Sequence, residues 1–90
     1  MSAATGLDVD RHVSENVHRL LFRLGWKQKD LAAATGMSGA TLSRKLNGSG
    51  AWSLVEVLRL ARATAVEPDE LVGTLPGFEE WNARRGEVLG

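Results

Sequence analysis

Residues 35–48 read TGMSGATLSRKLNG, and the way they are read decides the fold. Leu42 and Leu46 are four apart, the spacing of one helical face, while small and hydroxylated residues fill most other positions. Gly36 stands where a residue with positive φ ends a preceding helix at least cost. Ser38 occupies the N-cap position of the next helix, its hydroxyl placed to accept a hydrogen bond from the Thr41 amide. A helix is therefore expected from Gly39 to about Leu46, broken by Asn47-Gly48-Ser49-Gly50. On a wheel of ~100° per residue Leu42 and Leu46 lie about 40° apart and define the buried face. Ala40, Thr41 and Arg44 stand opposite, with Ser43, Lys45 and Asn47 on the flanks. The outer face is small at its N-terminal end and cationic further along, a profile suited to a helix entering the DNA major groove end-first. Arg44 can form a bidentate pair with guanine, and the methyls of Ala40 and Thr41 can meet thymine methyls. Ser38 and the helix N-terminus can hold a phosphate through exposed amides.

Upstream, QKDLAAAT predicts a short helix from about Gln28 to Thr35, whose central alanines allow another helix to approach closely. Counting Gln28 as one, alanine stands at five (Ala32), glycine at nine (Gly36) and leucine at fifteen (Leu42). Ala32 suits the point where two helices nearly touch, Gly36 takes the turn, and Leu42 pins the second helix onto the first. Before them, Val9, Val13, Val17, Leu20, Leu21 and Leu24 form one stripe over four turns, with Asp8 or Asp10 as cap and Gly25 as stop. Trp26 is expected as a core anchor. Downstream, Ser53 and Glu56 form an S-x-x-E capping box, and Leu54, Val57, Leu58 and Ala61 are the expected buried stripe of a fourth helix. Pro68 suits the first turn of a fifth helix carrying Leu71 and Val72 inward. After the turn Thr74-Leu75-Pro76-Gly77, a sixth helix is expected in FEEWNARRGEVLG, with Phe78, Trp81, Val88 and Leu89 on one side and Gly86 interrupting it. No strand pattern, repeat or low-complexity tract occurs, so the expected fold is all-α.

Ninety residues suffice for one modest core, and 43% hydrophobic with 24% charged residues is ordinary for a globular protein. The absence of cysteine excludes disulfides and thiolate metal sites. MSAATGLDVD has neither a basic n-region nor an apolar h-region, and no apolar run reaches the ~20 residues of a membrane span, so a soluble, cytoplasmic domain is expected. Net charge is zero but unevenly spread: Lys27, Lys29, Arg44 and Lys45 face only Asp30 within residues 27–50, a net of +3, and residues 51–90 carry a net of −3. A basic middle can present one positive face to a polyanion. His12 and His18 are six apart, about 240° around a helix, and do not converge on a metal. No G-x-S-x-G, H-E-x-x-H or phosphate-loop pattern occurs, so neither an enzyme nor a cofactor is expected.

WKQKDLAAATGMSGATLSRKLNG resembles the helix-turn-helix of the phage repressor and Cro-like family, the XRE class, and SLVEVLRLARATAVEPDELV is similar to its fourth and fifth helices. The likeness covers roughly residues 11–72. It implies a five-helix domain, here spanning residues 1–73, that binds operator DNA, usually as a dimer, and regulates transcription. By the same resemblance Gln28 contacts a phosphate and braces the recognition helix. Ser38, Gly39, Ala40, Thr41, Ser43 and Arg44 face the major groove, and Lys45 and Asn47 lie near the DNA backbone. Apart from the resemblance, Lys29 in the basic segment is expected as a further phosphate contact. Lys27 and Glu67 replace the caps common in the family, Lys45 replaces an apolar residue, and Gly39 brings no side chain to a base. Residues 74–90 fall outside the likeness. Their apolar side chains, with Leu75, are the expected self-contact of a homodimer on DNA or a surface for a protein partner, with folding back onto the core as the alternative. Two other readings remain: an antitoxin-type or accessory regulator with a protein partner, and a helical interaction module without DNA binding.

Overall fold

A computed structural model describes the backbone of residues 7–89 and the side chains of residues 9–86. Six helices follow one another: α1 (Leu7–Leu24), α2 (Gln28–Thr35), α3 (Gly39–Leu46), α4 (Leu54–Thr64), α5 (Pro68–Val72) and α6 (Phe78–Leu89). No strand occurs among the described residues, and the all-α expectation holds.

The stripe on α1 is the floor of the core. Val13, Val17 and Leu20 are fully buried and Leu21 nearly so, while Val9, one turn earlier, is exposed. α1 begins at Leu7, so Asp8 and Asp10 lie inside the helix and neither is its cap. Asp10 serves another end, its Oδ1 accepting the main-chain N–H of Trp52 at 2.9 Å. Gly25 stops the helix with φ +69°. Buried Asn16 then sews α1 to α5, donating from Nδ2 to the Leu71 and Gly73 carbonyls at 2.8 and 3.1 Å. Those two carbonyls lie at the end of a five-residue helix that has too few internal bonds of its own.

α4 corrects the expected stripe. Val57, Leu60, Ala61 and Thr64 face the core, whereas Leu54 is 73% exposed and Leu58 also faces solvent. The buried face lies on the other side of Val57 and Ala61 from the one expected. Thr64 is admitted to it because its hydroxyl donates back to the Leu60 carbonyl at 2.7 Å, leaving only its methyl side to pack. Thr35 of α2 does the same with Leu31, at 2.8 Å.

α6 runs unbroken through Gly86. Trp81 is 0% exposed and joins the core, and Phe78 beside it remains half in solvent at a ring separation of 5.6 Å. The guanidiniums of Arg23 and Arg85 lie 5.4 and 4.7 Å from the Trp81 ring centre, and Arg84 pairs with Glu70 at 2.8 Å. Trp81 is therefore closed to a partner, and of the two expectations for it, a self-contact or folding back onto the core, it follows the second. Val88 and Leu89 have side chains outside the described residues.

Candidate nucleic-acid interface

α2 and α3 meet at the turn Gly36-Met37-Ser38. Gly36 sits at φ +75°, its N–H bonded to the Ala32 carbonyl at 2.9 Å. Ala32 is buried, Ala33 and Ala34 are exposed, and Met37 packs on the edge of the core. Ser38 caps α3, its Oγ accepting the Thr41 N–H at 3.1 Å as the spacing predicts. At the head of α2, Lys27 has no side-chain acceptor to offer. Its main-chain N–H instead donates to Asp30 Oδ2 at 2.8 Å, so half of a capping box survives the missing Ser or Thr. Glu67 and Glu70 repeat this arrangement at α5, also at 2.8 Å.

Leu42 is fully buried and Leu46 nearly so, which turns the opposite side of α3 outward. On that side Gly39, Ala40 and Arg44 are exposed, and Thr41 and Ser43 are half-buried at its borders. Ser38 and Asn47 are exposed at the two caps. Gln28, the first residue of α2, is half-buried, and Lys29 next to it is exposed. All ten expected contact positions are thus wholly or partly open, though at Lys45 the ammonium is engaged within the domain.

Lys45 differs. Its Nζ lies 2.6 and 2.7 Å from the two carboxylate oxygens of Glu56 on α4, and 5.9 Å from the Trp52 ring centre. The same carboxylate accepts the Ser53 N–H at 2.8 Å, while Ser53 Oγ accepts the Glu56 N–H at 3.1 Å. Burial raises the Glu56 pKa, but the hydrogen bonds from Lys45 and Ser53 and the lysine's charge outweigh it and leave the carboxyl below its ordinary range. Sequence reasoning found Glu56 as a cap and missed it as the partner of Lys45. The available signal was a lysine at an apolar position of the pattern, whose stem must be inside and whose ammonium must then find an acid.

The last turn of α3 is also tied to α1. Ser14 Oγ donates to the Lys45 carbonyl at 3.1 Å and accepts the Trp52 indole N–H at 3.0 Å, and the His18 ring lies 3.3 Å from the Leu46 carbonyl. Ser14, His18, Lys45 and Leu46 line a cleft of about 650 Å³ between α1 and the α3–α4 loop. Both Ser14 and His18 are committed to main-chain carbonyls there. Among the described residues no group of three or more His, Asp or Glu side chains is placed to hold a metal.

Two short helices joined at a left-handed glycine, the second with its small-sided and cationic face outward, define a helix-turn-helix, a DNA-binding class. The sequence profile of the helix-turn-helix domain family matches residues 4–73, and the chain belongs to that family. No curated protein and no solved structure matches the chain. No helix among the described residues is long and apolar enough to cross a membrane.

Proposed function

We propose that this protein is a sequence-specific transcriptional regulator, a bacterial or phage repressor acting in the cytoplasm, with α3 entering the major groove of operator DNA. The observation that carries this reading is the division of α3 into a buried side, Leu42 and Leu46, and an open side of Gly39, Ala40 and Arg44. An eight-residue helix held only to support the fold has no reason to keep its outer face so small. Arg44 reads a guanine, and Ala40, Thr41 and Ser43 lie against base edges. The absence of a side chain at Gly39 lets the helix end approach closely. Gln28, Lys29, Ser38 and Asn47 hold the phosphates on either side.

Binding occurs as a homodimer on a palindrome, with half-sites about 34 Å apart so that both recognition helices enter one DNA face. Residues 74–86 serve as a brace of the DNA-binding domain, since Trp81 is spent on the core. No catalytic role and no cofactor are assigned. A second reading, an accessory regulator that also docks on a protein, is favoured by the exposed Leu54, Val55 and Leu58 on α4. The test is enrichment of duplexes from a random-sequence pool, followed by salt titration and sedimentation of the complex. A symmetric site, salt-sensitive binding and two chains per duplex support the reading. Failure to enrich any duplex contradicts it.

A further inference from the structure

We propose that Lys45 is a positioning residue of the recognition helix and not a contact to the DNA backbone: paired with Glu56, it sets the rotation at which the outer face of α3 is presented. The inference rests on the DNA-binding reading above and deepens it.

α3 has only eight residues, and its two buried leucines set how deeply it sits in the domain. The buried leucines decide which side of α3 faces outward, but apolar contact is non-directional and leaves the finer rotation about the helix axis less sharply set. Lys45 supplies the missing direction. Its ammonium spans both oxygens of Glu56, its main-chain carbonyl accepts the Ser14 hydroxyl, and its side chain is only 14% exposed. The residue is thus held by α4 at one end and by α1 at the other. Paired charge-assisted hydrogen bonds have a preferred geometry, so turning α3 breaks them. Arg44 immediately precedes Lys45 in the helix, about 100° around it, and any rotation that frees Lys45 also moves Arg44 along the groove.

A phosphate could recruit Lys45 only by drawing it from Glu56. That would leave a carboxylate, 18% exposed and without its cation, beside the polyanion. The binding surface therefore takes its charge from Arg44 and Lys29, and Lys45 adds none. Glu56 makes the two roles separable. Changing it to glutamine removes no positive charge, and the new side chain still accepts the Ser53 N–H.

The experiment measures the affinity of the parent, Lys45→Met, Glu56→Gln and the exchanged pair Lys45→Glu/Glu56→Lys. The probes are a duplex enriched by the parent from a random pool and an unrelated duplex of equal length, each across a salt series. Lys45→Met and Glu56→Gln should each lose about tenfold in affinity for the enriched duplex, the order of one misplaced base contact. Neither should change affinity for the unrelated duplex beyond about twofold, nor the slope of log K against log salt. The exchanged pair should regain part of the loss, since it restores the ion pair while the ammonium in place of the Glu56 carboxylate no longer accepts the Ser53 N–H. The opposite pattern overturns the proposal: Lys45→Met weakening both duplexes alike with a slope shallower by about 0.9, and Glu56→Gln binding as well as the parent or better. If the exchanged pair does not fold by circular dichroism, Glu56→Gln decides alone. If the parent enriches no duplex, the DNA-binding reading fails by itself. Positioning is then judged on the free protein, where Glu56→Gln should displace the backbone amide resonances of Ser43 and Arg44; unchanged resonances overturn it.

Discussion

The indole N–H of Trp81 donates to the main-chain carbonyl of Thr64 at 2.7 Å, across the interior of the domain. Thr64 closes α4, and its carbonyl belongs to the last turn, where no intrahelical donor follows. Pro68, the residue that would otherwise supply one, has no N–H. The tryptophan fills both needs at once: a donor for a stranded carbonyl and a large apolar body for the end of the core. α6 is thereby built into the same unit as the helix-turn-helix, with Arg23 of α1 bonded to the Pro76 carbonyl at 3.0 Å along the way.

Trp81→Ala should therefore destabilise the domain by roughly 3–5 kcal/mol, the range for emptying a large aromatic site in a core. Truncation at Gly77 should cost at least as much. Urea unfolding followed by circular dichroism measures both. A truncated chain as stable as the parent would return α6 to the role of a detachable contact.

Ala65 follows α4 with φ +63°, the only non-glycine residue of positive φ among the described residues. An L-residue there bears a steric cost of ~1–2 kcal/mol that glycine avoids. Ala65→Gly should raise stability by up to ~1 kcal/mol after the added flexibility of the unfolded chain is deducted. Gly36→Val should act in the opposite sense. A Cβ at Gly36 meets nothing within 4 Å, so the loss would come chiefly from the positive φ that a β-branched residue resists. Thermal melts of the two variants should move in opposite directions.

The depressed Glu56 pKa gives a pH dependence with a definite sign. Because the folded carboxyl titrates below the unfolded one, its stabilisation is complete above the unfolded pKa, about 4.3, and is lost as pH falls through the folded value. Glu70, lowered chiefly by the hydrogen bond from Arg84, contributes in the same direction. Stability should decline as pH drops below about 5, and less steeply in Glu56→Gln. Melting temperatures at a series of pH values give the comparison; parallel curves for parent and variant would contradict it.

The turn and the two helices it joins were legible because their signals are local. Gly36 must supply a positive φ, Ser38 must cap, and Leu42 and Leu46 mark a face within one short segment. α4 was misread in part because a single period admits two neighbouring stripes through Val57 and Ala61. Choosing between them required seeing Thr64 as a residue able to satisfy its own hydroxyl and go inside. The places of Trp81 and Lys45 depend on partners 17 and 11 residues away, and no local pattern announces them. The outer face of α3 was readable as small and cationic. That one of its flanking cations is held by α4 was not.

The most direct test of DNA reading through α3 compares the parent with Arg44→Ala on a duplex enriched by the parent. Arg44 is exposed and lies on the outer face of α3, opposite the buried leucines, so the substitution should leave the fold intact. Arg44→Ala should lose ~1–3 kcal/mol in binding, together with relaxed preference at one base position in each half-site. Equal affinity and unchanged preference in Arg44→Ala, with the fold preserved, would contradict it.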